Sequence, residues 1–215
     1  MSRHIALITG ASSGIGKAFA LHYADAGSHL VLVGRDVEQL NVVREEVIAA
    51  GATCQICIAD LSHSNGVASV LGVCPQPDVV IANAGVTVAG RIGTREWSQL
   101  EQMIYLLGVG VAQLLEGLVP AMTERGSGDI VIVSSIASLI TMPNSAMYAA
   151  SKSFVTAYGR SLAAETERFG VRVCVLCPGY VHTNLHERAG LSHLEKQVPQ
   201  WMWITSETVV TAGIR

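Results

Sequence analysis

Six short apolar runs rich in β-branched residues, separated by longer stretches, constrain this chain more than any other feature. They are Ile5–Thr9, Leu30–Val33, Cys54–Ala59, Val79–Ala82, Ile130–Ser134 and Val171–Cys177. Runs apolar at nearly every position, rather than at every second one, need cover on both faces. Ile15–Ala26, Val37–Ala50, Glu96–Arg125 and Ser145–Phe169 read as the helices that supply it. Strands alternating with helices imply a parallel sheet between two helical layers. The pattern predicts a three-layer, Rossmann-type doubly wound α/β fold with strand order 3-2-1-4-5-6. By the same reasoning Ser62–Cys74, which holds two glycines, is a poor helix.

At 215 residues the chain is long enough for one well-buried domain, and residues 1–215 are read as a single unit. Half of the residues (50%) are hydrophobic and only 14% are charged, as a sheet covered on both faces requires. The net charge of −3 comes without any Lys/Arg run, which argues against nucleic-acid binding. Five cysteines fit free thiols in a reducing cytoplasm better than a disulfide framework. The N-terminal residues lack the pattern of a signal peptide. Met103–Met122 is apolar enough to resemble a membrane span. It carries Gln113, Glu116 and Pro120 and is interrupted by Gly108 and Gly110, so a helix buried against the sheet is expected instead.

In a doubly wound sheet, ligands bind beyond the carboxyl ends of the strands. Thr9-Gly10-Ala11-Ser12-Ser13-Gly14-Ile15-Gly16 follows the first strand and opens the first helix. Gly10 permits a tight turn, Gly14 lets backbone approach a pyrophosphate, and Gly16 allows close helix–strand packing. The helix N-terminus presents free N–H groups to the anion. The competing reading is a glycine-rich turn without a ligand. After the second strand come Gly34 and Arg35, with Asp36 one step further on. Arg35 suits a ribose 2′-phosphate and stacking on adenine, with Ser12 and Ser13 as added donors. NADP(H) is therefore favoured over NAD(H). A solvated loop charge is the alternative for Arg35. Asp60, and Asn83, Ala84 and Gly85, end the third and fourth strands, where they can touch the cofactor or serve as ordinary turn residues.

Tyr148 and Lys152, four apart on a predicted helix, share one face, and Ser135 lies thirteen residues upstream of the tyrosine. An ammonium beside a phenol favours phenolate and lowers a pKa that starts near about 10. Such a tyrosine is a usable general acid and base.

Together these residues resemble the short-chain dehydrogenase/reductase family over nearly the whole chain. The match rests on TGASSGIG at 9–16, Asp60-Leu61, Asn83-Ala84-Gly85, Ser135, YAASK at 148–152, and Pro178-Gly179 followed by Thr183. The resemblance implies a dinucleotide-dependent oxidoreductase acting on a carbonyl–alcohol pair. By that resemblance Tyr148 is the acid/base, and Lys152 holds the nicotinamide ribose and depresses the tyrosine pKa. Ser135 binds the substrate oxygen. Thr183, with backbone around Val181, clamps the carboxamide.

Two departures stand out. Leu107 occupies the position at which many family members carry an asparagine that kinks the helix and holds a water linking the lysine to solvent. The first expectation is an enzyme whose proton relay runs through backbone and water. The second is an impaired NADPH-binding sensor or partner subunit. Family members also usually continue into a seventh strand beyond the helix that begins near Thr205, so a truncated C-terminus or a six-stranded sheet is expected. A full tetramer is then in doubt, and a homodimer through helices 96–125 and 145–169 is favoured.

Cys54/Cys57 and Cys174/Cys177 have metal-like spacing, but they fall on strands expected at opposite edges of the sheet, so no metal site is assigned. His182 and His186 read as rim or surface residues. Leu139, Ile140, Met142, Met147, Tyr180, Leu185, Leu191, Trp201, Met202 and Trp203 would line a site for an apolar ketone or aldehyde, or would merely seal the loop. No basic residue is forced into that pocket by the sequence.

Overall fold

The computed structural model describes residues 4–183 and 197–214. Leu185, His186 and Leu191 lie outside them. The strands are β1 (Ile5–Thr9), β2 (His29–Gly34), β3 (Thr53–Ile58), β4 (Val79–Ala82), β5 (Gly128–Val133) and β6 (Val171–Leu176). They form one six-stranded parallel sheet in the order β3-β2-β1-β4-β5-β6, the doubly wound order. The helices are α1 (Gly14–Asp25), α2 (Val37–Ala49), α3 (Ser64–Val73), α4 (Trp97–Ile104), α5 (Gly110–Arg125), α6 (Ala146–Thr166) and α7 (Ser206–Gly213).

Successive strand residues feed two separate cores, which is why the runs are apolar throughout. Leu7, Val31, Val33, Val80, Ile130 and Ile132 pack on one face with Val67, Val70, Leu114, Leu118 and Val155. Ala6, Ile8, Leu30, Leu32, Ile81 and Val131 pack on the other with Phe19, Leu40, Val43, Val47 and Val210. Each fully buried Leu, Ile or Phe contributes about 1.5–3 kcal/mol of transfer free energy.

Three features differ from the expectation. Residues 64–73 do form a helix, despite Gly66 and Gly72. A Cβ at Gly66 would run into the Asp60 carbonyl, so this glycine lets α3 press onto the turn after β3. Tertiary packing of Val67 and Val70 outweighs the low propensity. Second, Tyr180–Val181 and Trp203–Ile204 pair as a two-stranded parallel ribbon, here β7 and β8. Third, the long helix is not continuous. A π-helical turn at Tyr105–Val109 separates α4 from α5, closed by a bond from the Gly110 N–H to the Tyr105 carbonyl. The 29 residues Trp97–Arg125 are long and apolar enough to cross a membrane, yet half (50%) of their most apolar window is buried inside the fold, as in a core helix.

Candidate active site

The turn after β1 enters α1 through two left-handed glycines, Gly10 at φ 65° and Gly14 at φ 54°, where other residues would be strained. Ser13 occupies the N-cap of α1 without a side-chain cap bond, and the first helical turn holds no acidic residue. The leading N–H groups therefore face the cleft with no internal carboxylate competing for them. Gly16 lies so close to the Gly10 carbonyl that a Cβ could not fit. Across the cleft, a Cβ on Gly14 would lie 2.8 Å from Thr183 Cγ2, so the segment after β6 reaches the glycine turn. This cradle, open at a helix N-terminus and too tight for side chains, fits a dinucleotide pyrophosphate.

Asn83 is used differently from the expectation. Its Nδ2 donates to the carbonyls of Thr9 (3.0 Å) and Gly10 (3.2 Å), while its backbone N–H donates to Thr9 Oγ1 (2.9 Å). Ala84 N–H donates to the same hydroxyl at 3.0 Å. Asn83 and Ala84 thus brace the glycine turn, and Gly85 follows with its backbone exposed.

Beyond the ends of β2 and β3, Arg35 lies 3.4 Å from Asp60. Burial pushes the Asp60 carboxyl up, but the N–H and hydroxyl of Ser62 and the Arg35 guanidinium outweigh it and hold it below its ordinary value. Asp36, the only acidic residue immediately after β2, caps α2 by accepting the Gln39 N–H at 3.0 Å. Leu61 is buried beside Asp60.

Ser135, Tyr148 and Lys152 meet beyond the end of β5. Ser135 is extended and caps a short 3-10 turn, its Oγ accepting the Ala137 N–H at 3.2 Å. Its hydroxyl is close enough to the Tyr148 phenol to lower that group's pKa. Lys152, one turn along α6, is buried, and its Nζ donates to the Val133 carbonyl at 2.8 Å, with 6.0 Å to the centroid of the Tyr148 ring. Burial lowers the Lys152 pKa to about 8, with Cys177 opposing the shift. The expected lysine-driven depression of the tyrosine is not what this geometry gives. Burial raises the Tyr148 pKa, and the Ser135 hydroxyl is what opposes it. Spacing on a helix reports that two groups are near, but desolvation of the phenol outweighs that proximity. Near neutral pH the site holds a protonated phenol.

Sequence reasoning missed the groups that hold the lysine. Ser134 Oγ donates to the Lys152 carbonyl at 3.0 Å and pairs with Thr156 Oγ1 at 2.6 Å, both side chains being buried. Cys177 Sγ lies 3.6 Å from Ser138 Oγ and 4.0 Å from Thr156 Oγ1. Thr156, one turn beyond Lys152 on the same face, was the available signal.

Leu107 lies in the π turn, 1% exposed, packed with Leu100 and Met103 against Val86, Val88, Met147 and Tyr148. The helix is loosened without the asparagine. We expect Leu107→Asn to raise kcat several-fold by restoring a polar path toward the lysine. The buried amide should cost about 1–3 kcal/mol, lowering Tm by a few degrees. Steady-state kinetics paired with thermal unfolding checks both halves, and an unchanged kcat would show that proton release does not limit the rate.

Of the substrate-lining candidates, Leu139 and Ile140 are about half exposed just after Ser135. Trp203 instead seals the ribbon, its ring 5.3 Å from Tyr180 and 4.9 Å from His182. Trp201 is 82% exposed. Pro178 anchors the opposite rim by accepting the Ile136 N–H at 2.8 Å; Gly179 follows, and Val181 is buried.

The short chain dehydrogenase family model matches residues 4–192. The chain is 38% identical over 192 residues to dehydrogenase/reductase SDR family member 7B of Danio rerio, covering 84% of this chain and 62% of that protein. It is 34% identical over 189 residues to an uncharacterized oxidoreductase of Myxococcus xanthus, covering 86% and 75%. It thus spans less than two thirds of the length of the fish relative. Among solved structures, a short-chain dehydrogenase from Sphingobium yanoikuyae in complex with NADPH matches with a TM-score of 0.91 at 27% identity, covering 98% of this chain and 83% of that one.

Proposed function

The chain belongs to the short-chain dehydrogenase/reductase family, and from that premise we propose an NADP(H)-dependent oxidoreductase interconverting an apolar ketone or aldehyde with its alcohol. The observation that carries this reading is the partly buried Tyr148 phenol, with the Ser135 hydroxyl acting on it and the Lys152 ammonium 6.0 Å from its ring centroid. Gly10, Ser12, Ser13, Gly14, Ile15 and Gly16 would hold the pyrophosphate, and Val181 and Thr183 the nicotinamide end. When bound, the cofactor supplies the hydride. The chain's own residues handle the oxygen: Ser135 donates to it, and Tyr148 gives it a proton as it gains charge. Lys152, charged below a pH of about 8, favours the phenolate that results. A protonated tyrosine near neutral pH suits reduction.

The preference for NADP(H) rests on Arg35. Its pair with Asp60 is solvent-exposed and therefore worth little, so the guanidinium is free to turn to a 2′-phosphate. Asp36, spent as a helix cap, does not offer itself to a 2′-hydroxyl. Arg35→Asp should weaken NADPH by about ten- to a hundredfold in KM while NADH is spared, from the loss of about 1.5–3 kcal/mol of charged hydrogen bonding. Equal use of both cofactors before and after the change would refute it.

Leu139 and Ile140 beside Ser135, with Met147 beneath, support an apolar substrate. We place the protein in the cytoplasm, in keeping with its free cysteines. The exposed Val109 and Phe154 border an apolar hollow between the π turn and α6, a surface we assign to a second copy of the chain. The direct test is NADPH oxidation against a panel of apolar ketones and aldehydes. Consumption is expected. NADPH binding with no consumption across the panel would favour the impaired-sensor reading.

A further inference from the structure

The loop between β4 and α4 carries two arginines whose placement the sequence pattern did not disclose. Arg91 and Arg95, with Ile92, Asn144 and Ala146, line a cleft of about 350 Å³. Ala146 opens α6 two residues before Tyr148, and Val86 and Val88 of the same loop pack in the cluster that holds Tyr148. The cleft therefore lies at the start of the helix that carries Tyr148, between that helix and the loop whose Val86 and Val88 pack near the phenol.

Its walls are fixed by the backbone. Asn144 is the only non-glycine residue with positive φ (61°) among the described residues. In that left-handed conformation its carbonyl accepts the Gly90 N–H at 2.9 Å and Arg95 Nη1 at 3.5 Å. A left-handed asparagine costs about 1 kcal/mol, and here it ties the loop to the start of α6.

The charges in the cleft are not compensated. Arg35, Arg125 and Arg172 each lie within ion-pair distance of an aspartate, whereas Arg91 and Arg95 meet no carboxylate among the described residues. The Nε of Arg95 is buried with no hydrogen-bond partner. Half-buried and without a carboxylate, the Arg95 guanidinium carries a charge that an incoming oxyanion would pair. Guanidinium forks match the paired oxygens of carboxylates and phosphates. Ile92, 90% exposed, adds an apolar edge.

We propose that this cleft is a subsite for an oxyanion, a carboxylate or a phosphate, carried by the substrate at a distance from the carbonyl that Tyr148 serves. The substrate is then amphiphilic, apolar next to Ser135 and Tyr148 and anionic at its far end. This inference rests on the catalytic reading above and narrows it.

The test compares a series of ω-oxo acids of increasing chain length with their methyl esters and with the matching oxoalkyl phosphates. Binding is read by thermal shift, and turnover by NADPH oxidation. Wild type should favour the anion over the neutral ester at least tenfold in KM at one chain length. Arg91→Gln, at an exposed position, should reduce that preference, and the Arg91→Gln/Arg95→Gln double variant should bring it close to one. Whichever of acid and phosphate shows the larger preference identifies the anion. Equal handling of acid, phosphate and ester by wild type, or equal loss for all three in the variants, would overturn the subsite. Turnover that survives Tyr148→Phe would instead overturn the catalytic reading, and the thermal shifts report on the subsite either way.

Discussion

Tyr148→Phe is expected to lower kcat by about 10²- to 10⁴-fold, the span that a positioned proton donor contributes. The change should be nearly silent structurally. The ring keeps its place against Leu100, Met103 and Leu107, and Ser135 Oγ keeps the Ala137 N–H as a partner. NADPH affinity and Tm should stay close to wild type, so the loss can be assigned to the missing hydroxyl. In wild type, burial holds the phenol protonated beyond its ordinary value of 10.0. Reduction should therefore not fall through deprotonation of Tyr148 anywhere near neutral pH. Single-turnover NADPH oxidation across a pH series measures this. A variant retaining more than about a tenth of the rate would remove Tyr148 as the proton donor.

Lys152→Met should separate stability from activity. A buried ammonium whose pKa falls from 10.5 to about 8 costs the folded state about 3 kcal/mol while it is charged. Methionine fills similar volume without that cost, although the Val133 carbonyl loses its donor, worth about 1 kcal/mol. We expect the variant to be more stable at neutral pH, with Tm higher by a few degrees, and slower by about a hundredfold or more. The sign with pH follows from proton uptake. Between about 8 and 10.5 the unfolded lysine still holds its proton while the folded one has lost it, so this residue makes wild-type stability rise with pH. The gap between variant and wild type should be full below pH 8 and close as pH rises through that window. Comparing the two proteins cancels the opposite trend from Cys54 and Cys74, which burial raises to about 11. A variant less stable than wild type at pH 7 would refute the reading.

The parts of this molecule legible in its sequence are those whose cause is local. Runs apolar at every position announce strands covered twice, and the clustered glycines of 10–16 announce a turn into a helix. Tyr148 and Lys152 are neighbours on any helix. What escaped depends on distant partners. The α3 helix forms because Gly66 can touch the Asp60 carbonyl and Val67 and Val70 reach the core. The β7–β8 ribbon joins segments twenty-odd residues apart through two residues each. Spacing correctly placed Lys152 but could not report how dry its surroundings are, and dryness sets the direction of both pKa shifts. Arg91 and Arg95 look like ordinary loop charges until Asn144, bonded to Arg95, closes a cleft with both of them.

The π turn at 105–109 has a geometric consequence. Leu100, Met103, Leu107, Leu114 and Leu118 read in sequence as one stripe along one face, with steps of three, four and seven. One residue more than an α-helix needs turns everything after it by about 100°. The stripe is therefore cut into two that look in different directions: Leu100, Met103 and Leu107 toward the tyrosine, Leu114 and Leu118 toward the sheet. In this stretch, chain length works as an angle setting. Which wall stands behind the Tyr148 phenol is decided by a residue count, so the identity of any one side chain there is only half of the specification.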